Sequence, residues 1–311
     1  LTAMQDAGKD LQSLKARILL IDIDNQTGGV LPTNLAANGE KTVQYANPAA
    51  ARQASFHSGN TLLPSDNTAA SFWITNPDNS YIDNVAAGSD QVGFWLSVPE
   101  HPNGAFLGTE QSLATWPRRT LLREFRGNTA HSNYDGFMFD RNINVENVFG
   151  LAGPSYMPKV DPADPNSQSV DALLENLTTY KNRNGGFWGR GELFVVRNLK
   201  AADNAIGMTM SSGAFGSEAF TSLLVDSLVV GETDNIGNPT TPEEVAYGRS
   251  LPKPSIPDFP IRGYEYYDYR DDVVNTTFVN FQDNAVRKTG ALSFLLFTSA
   301  GLSTGSTISG A

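Results

Sequence analysis

The sequence predicts an all-β fold, a parallel β-helix (solenoid) with long loops and a short N-terminal helix. Three observations carry this. Charged residues make up only 18% of the 311-residue chain, while Gly contributes 28 positions, a balance suited to short strands and frequent turns. A phrase recurs in which Asn is followed three residues later by Gly and then by an alternating apolar run: Asn133 with Gly136, Asn182 with Gly185, Asn204 with Gly207. Gly186 and Gly207 lie 21 residues apart, a spacing that fits one coil of a solenoid. A β-sandwich is the competing all-β arrangement, and the recurrence favours the solenoid.

Taken in order, the chain opens on "LTAMQDAGKDLQSLKARILLIDID", which reads as a short helix turning β-like at "RILLIDID". Residues 26–70 are polar and rich in turn signals. The coil phrases follow at 85–96, 129–139, 178–189 and 200–210. Asn and Gly tolerate the left-handed backbone conformation that tight corners need. Stacked coils then place Asn above Asn, where the amides can hydrogen-bond as a ladder. The gap from Gly136 to Gly186 holds two coils, or one coil and a loop. Residues 152–170 are Pro- and Asp-rich and 233–260 hold six prolines, and both read as loops leaving the solenoid. The expected organisation is therefore an N-terminal helix and irregular or first-coil segment over 1–55, the β-helix over 56–300, and a flexible tail over 301–311.

Composition excludes several functions. A net charge of −11 and a pI near 4.7 argue against a nucleic-acid partner, since phosphate neutralisation needs a basic face. With no cysteine, disulfides and thiolate chemistry are excluded. No apolar run approaches the roughly 18 residues that a membrane span needs. Neither a phosphate-cradling loop nor a nucleophile elbow is present.

Six ordered blocks then carry a family resemblance. They are "ASFWITNPDNSYIDNVAAGSDQVGFWL" (70–96), "NTAHSNYDGFMFD" (128–140), "YKNRNGGFWGRGE" (180–192), "ADNAIGMTM" (202–210), "DSLVVGETDNIG" (226–237) and "FPIRGYEYYD" (259–268). Together they resemble the family of the cell-migration-inducing, hyaluronan-binding protein and its transmembrane hyaluronidase paralogue, with microbial relatives. The resemblance implies a right-handed parallel β-helix at the cell surface or outside the cell. It also implies a polysaccharide partner, hyaluronan or a similar polyanionic glycan, with calcium often involved and further domains at the chain ends. This chain departs from the family in lacking cysteines and the glycine-marked β domain that normally lies upstream.

The candidate site follows from those blocks. His131, Ser132, Asn133, Gly136 and Asp140 match the family phrase, so His131 is a candidate general acid/base with Asp140 to orient it or bind a cation. The bland alternatives are a corner histidine and a solvated Asp140–Arg141 surface pair. Alternation puts Phe137 and Phe139 inside, and Met138 and Asp140 outside. In "FWGRGE", Trp188, Arg190 and Glu192 share a strand face; a Trp ring can stack on a pyranose while the charges meet its polar groups. Arg190 and Glu192 join the catalytic candidates, and Trp188, Arg141, Lys181 and Asn133 the substrate-binding ones. Asp203 is the candidate calcium ligand. "WPRRTLLREFR" holds Arg118, Arg119, Arg123 and Arg126, a basic island able to steer an anionic chain. Two functions remain open: depolymerisation of an anionic polysaccharide by a lyase or hydrolase route, and a non-catalytic glycan-binding or surface-structural solenoid. Convergence of these side chains on one groove is what separates the two.

Overall fold

The computed structural model describes residues 69–89, 91–103, 106–143, 149–150, 156–212, 221–235, 259–268, 270–285, 287–295 and 305–311. The chain divides into two compact units, 1–69 and 70–311, and every described strand belongs to the second. The expected N-terminal helix lies outside the described residues.

Unit 70–311 is a parallel β-helix. It opens on β1 (Ala70–Ile74). The first coil is β2 (Ser80–Ile82), β3 (Val85–Ala87) and β4 (Val92–Leu96); the second is β5 (Glu124–Arg126), β6 (Thr129–His131) and β7 (Asp135–Phe139). A two-stranded antiparallel ribbon, β8 (Asn142–Ile143) with β9 (Phe149–Gly150), follows. The third coil is β10 (Ala172–Glu175), β11 (Thr178–Tyr180) and β12 (Gly185–Gly191), and the fourth β13 (Phe194–Arg197), β14 (Lys200–Ala202) and β15 (Ile206–Ser212). The fifth is β16 (Ser222–Val225), β17 (Leu228–Val230) and β18 (Ile261–Asp268), and the sixth β19 (Asp271–Val274), β20 (Thr277–Val279) and β21 (Thr289–Phe294). The segment expected as a flexible tail carries β22 (Thr307–Ser309), which pairs with β19.

Strands stack in three parallel sheets. Sheet I holds β1, β4, β7, β12, β15, β18 and β21; sheet II holds β2, β5, β10, β13, β16, β19 and β22; sheet III holds β3, β6, β11, β14, β17 and β20. Ala172 pairs with Phe194, so the barest coil is 22 residues long. Phe137 pairs with Phe187, which makes the Gly136–Gly186 gap one coil plus a loop. An excursion between β4 and β5, unforeseen in the sequence, holds the one-turn helix α1 (Glu110–Leu113), capped by Thr109 accepting the Ser112 N–H at 3.2 Å, and a 3-10 turn over Pro117–Arg119.

The core runs continuously through the coils, because no coil can bury its apolar face alone. Phe72 stacks on Phe94 at 4.5 Å, Phe94 on Phe137 at 5.1 Å, and Phe139 on Phe194 at 5.8 Å. Phe137 and Phe139 are both inside, as alternation requires, and Met138 lies on the other face with Val92 and Trp95.

The corner between sheets III and I is a ladder. Asn133 N–H donates to Asn182 Oδ1 at 3.0 Å, and Asn182 N–H to Asn204 Oδ1 at 3.0 Å. The amide side chains repeat the connection at 3.2 and 2.9 Å. These rungs are buried, so they satisfy corner groups that water cannot reach. The left-handed positions are not the Asn rungs but their predecessors, Ser132, Lys181 and Asp203, with φ of 58°, 54° and 54°. Glycine is demanded by close approach instead. A Cβ on Gly136 would sit 2.5 Å from the Gly186 carbonyl oxygen, and one on Gly186 would sit 2.6 Å from that of Gly207. The stacked glycine is thus Gly186 rather than Gly185, because the third coil carries one extra residue after its Asn.

Candidate functional site

The outward face of sheet I gathers three of the sequence candidates. Register places Trp188 beside Met138 and Thr209, and Arg190 beside Ser211, which in turn pairs with Tyr267. Asp140 follows β7 directly, at the left-handed Arg141 corner. Its carboxylate is 3% exposed. Oδ2 accepts the Trp188 indole N–H at 2.8 Å, and Oδ1 accepts the Arg190 Nε–H at 3.0 Å. The Asp140 carbonyl accepts the Trp95 indole N–H at 2.9 Å. Across the next coils, the Arg190 guanidinium lies 4.9 Å from the Tyr267 ring centre, and Trp188 meets Tyr267 edge-on at 6.1 Å. Asp140 is therefore a buried anchor that fixes an indole and a guanidinium, not an exposed partner of Arg141. Tyr267 was hidden in the sequence by its distance of 77 positions from Arg190; only the strand register unites them.

His131 stands elsewhere. It ends β6 in sheet III, pairs in register with Tyr180, and stacks on that ring at 4.6 Å with 5° between planes. Its Nδ1 lies 3.2 Å from Ser132 Oγ, and burial holds its pKa below the ordinary histidine value. The His131–Asp140 partnership expected from the family phrase is absent, because the Asn133 corner turns the chain from sheet III to sheet I between them. Lys181 and Asp203 are also on the sheet III side. Asn133 is a fully buried ladder rung, so it is not available to substrate.

Glu192 occupies a third place. It lies just beyond β12, and its N–H donates to the Tyr156 carbonyl at 2.9 Å. It is 2% exposed, and its Oε2 has no hydrogen-bond partner. Burial pushes its carboxyl up, against the pull of Lys159, Arg118 and a hydrogen bond with Ser169. Arg118 and Lys159 arrive from the two excursions, which zip together where the Met157 and Lys159 N–H groups donate to the Arg118 and Arg119 carbonyls, each at 2.9 Å.

The four arginines of the basic island are already paired, with three carboxylates. Arg118 and Arg119 both pair with Glu100, Arg123 with Asp78 at 2.9 Å, and Arg126 with Glu124 at 2.7 Å. Burial alone would raise Glu100, but Arg119 and Arg118 outweigh it and hold the carboxyl below its usual value. Paired charges of this kind contribute little steering.

Residues 25–138 match the family model described as the CEMIP beta-helix. Over 248 residues the chain is 32% identical to the mouse cell migration-inducing and hyaluronan-binding protein, covering 74% of this chain and 18% of that protein. The chain belongs to the CEMIP beta-helix family. It is 33% identical over 246 residues to the human cell surface hyaluronidase CEMIP2, covering 73% of this chain and 17% of that protein. A Dictyostelium discoideum protein matches at 32% over 256 residues, 78% of this chain and 23% of that protein. The chain thus spans about a fifth of the length of these relatives.

No group of side chains among the described residues fits the calcium that the family resemblance implies. Among the described residues, no three His, Asp or Glu side chains converge. Asp203 accepts the Thr233 N–H at 2.7 Å and its hydroxyl at 2.8 Å, which makes it a corner cap. Calcium takes six to eight oxygens, typically from several carboxylates. Nor, among the described residues, is any helix long and apolar enough to cross a membrane.

Proposed function

We propose that this CEMIP-family β-helix binds an extended anionic polysaccharide of the hyaluronan type on the outward face of sheet I. The observation that carries this is the buried Asp140 carboxylate, which holds Trp188 and Arg190 in one fixed arrangement. A half-buried indole offers an apolar face for a pyranose ring, and a guanidinium offers planar donors for a carboxylate. Holding both before the ligand arrives removes part of the ordering cost of binding. The relatives, one a hyaluronan-binding protein and one a cell surface hyaluronidase, support the ligand class and an extracellular or cell-surface setting. Calorimetric titration of the chain with hyaluronan oligosaccharides tests it. Saturable binding, weakened about tenfold or more in Trp188→Ala and Arg190→Ala, is expected on losing a charge-assisted contact; equal affinity in all three proteins refutes it.

Depolymerisation is a second reading, favoured by Glu192. A buried carboxyl raised in pKa keeps its proton closer to neutrality, as a general acid must. Asp140 is less suited, since both its oxygens already accept hydrogen bonds. On this reading Glu192→Gln abolishes chain shortening and leaves oligosaccharide affinity intact. Reducing-end release without ultraviolet-absorbing unsaturated products marks hydrolysis rather than elimination. Chain shortening that survives Glu192→Gln removes the residue from the chemistry.

A further inference from the structure

Sheet III carries a cleft of its own, of about 370 Å³, remote from Asp140 in the coil path. Its shape follows from one row of outward side chains. Register aligns Tyr180 on β11, Ala202 on β14 and Val230 on β17, so a methyl group lies between two larger neighbours. The missing bulk at Ala202 leaves a slot one coil wide. Tyr180 forms one wall, and His131, one coil earlier, stacks against the opposite face of that ring and holds it upright. Val230 and the exposed Leu228 form the other wall.

The ends of the slot are basic. Lys200 pairs in register with Thr178, and Lys181 follows Tyr180, so the two lysines stand at diagonal corners. Three residues along a strand and one step across the sheet put their Cα atoms on the order of 10 Å apart. Neither lysine forms an ion pair among the described residues, unlike the arginines of the basic island. The acid that lines the slot, Asp203, has its oxygens turned onto Thr233. A flat aromatic wall, an aliphatic wall facing it and two unneutralised ammonium groups fit a ring with an apolar face and a negative charge.

We infer that the slot between Tyr180 and Val230 is a binding site for a carboxylated pyranose, separate from the sheet I cluster. The ring slides over Ala202 with its C–H face on Tyr180, and its carboxylate meets Lys181 or Lys200. Residues on both faces make the solenoid bivalent, able to hold two chains or two turns of one chain.

Saturation-transfer NMR with the full chain tests this, using methyl β-D-glucuronoside and methyl β-D-glucoside as probes that differ only in the carboxylate. The glucuronoside is expected to bind about tenfold more tightly, the scale of a charge-assisted hydrogen bond. Ala202→Leu, which fills the slot, and Lys181→Ala/Lys200→Ala, which leaves its shape, should each remove that preference. Chemical-shift change at the Tyr180 ring protons, rather than at the Trp188 indole, locates the probe and keeps this result distinct from the outcome at sheet I. Circular dichroism confirms that Ala202→Leu folds, and the lysine pair, on the surface, carries the test if it does not. Equal binding of both probes, or a glucuronoside preference that survives the lysine double variant, overturns the inference. A sulfated methyl glucoside that outcompetes the glucuronoside reassigns the charge and also overturns it.

Discussion

Asp140 and Arg190 are 50 residues apart in sequence, yet the Arg190 Nε–H donates to Asp140 Oδ1 at 3.0 Å across one coil boundary. The carboxylate is almost wholly removed from water, while the guanidinium keeps 21% of its surface. A charge buried on one side only is costly unless its partner stays in place. Arg190→Ala alone should therefore destabilise the chain by about 3–5 kcal/mol, the range for stranding a buried partner. The double variant Asp140→Leu/Arg190→Leu should recover most of that loss. Urea unfolding of the wild type and the two variants measures both, and a double variant no more stable than Arg190→Ala would contradict the pairing.

The Asn ladder makes a second prediction. Asn182 accepts from Asn133 and donates to Asn204 and the Ala130 carbonyl, so its removal strands buried donors on Asn133 and takes a donor from buried acceptors on the other side. Asn182→Ala should cost about 2–4 kcal/mol, the sum expected for one or two stranded buried groups. Asn79→Ala, in an exposed turn where the side chain donates to the Asn76 carbonyl at 3.1 Å, should cost well under about 1 kcal/mol. Equal losses at the two sites would contradict the burial argument.

Glycine at the stack is a question of space. In Gly186→Ala the new Cβ meets a backbone oxygen, which cannot rotate away, so about 2–3 kcal/mol of overpacking is expected. Gly290→Ala, whose nearest contact would be 3.6 Å away, should be nearly silent. Thermal unfolding of both proteins distinguishes them.

Two groups give stability opposite pH slopes. Glu192 is raised above its usual value by burial, so the folded state binds more protons than the unfolded state in the weakly acidic range. Its contribution therefore declines as pH rises from the unfolded value through the raised one. His131 is lowered by burial, so the unfolded state binds more protons just below the ordinary histidine value. Its contribution is complete above that value and declines as pH falls through it. Glu192→Gln should flatten the first slope and His131→Gln the second, read from urea midpoints across weakly acidic pH. A profile unchanged in both variants would remove burial as the cause.

What the sequence made legible was the property repeated in every coil. Asn133, Asn182 and Asn204 announce the corner because each coil needs the same buried amide there, and the glycine row announces the same stack. The reason for the glycines was not legible: backbone approach between coils leaves no trace in a single segment, whereas a turn signal does. Pairings across coils were hidden as well, since excursions of unequal length separate their members. His131 and Asp140 look like partners because nine residues separate them, but a corner lies between and sends them to different sheets. Asp140 and Arg190 look unrelated and are in contact. Ala202 carries no signal at all, since its effect is the side chain it does not have.

The most direct measurement of the central claim is calorimetric titration of hyaluronan oligosaccharides into the wild-type chain and into Asp140→Asn. Asparagine keeps the shape of the anchor but loses its charge, so Trp188 and Arg190 remain present and lose their fixed geometry. The account predicts measurable binding by the wild type and a drop of about tenfold in Asp140→Asn, the loss of roughly one charge-assisted hydrogen bond. Unchanged affinity in a folded Asp140→Asn protein would contradict the claim that this buried carboxylate builds the glycan-binding face.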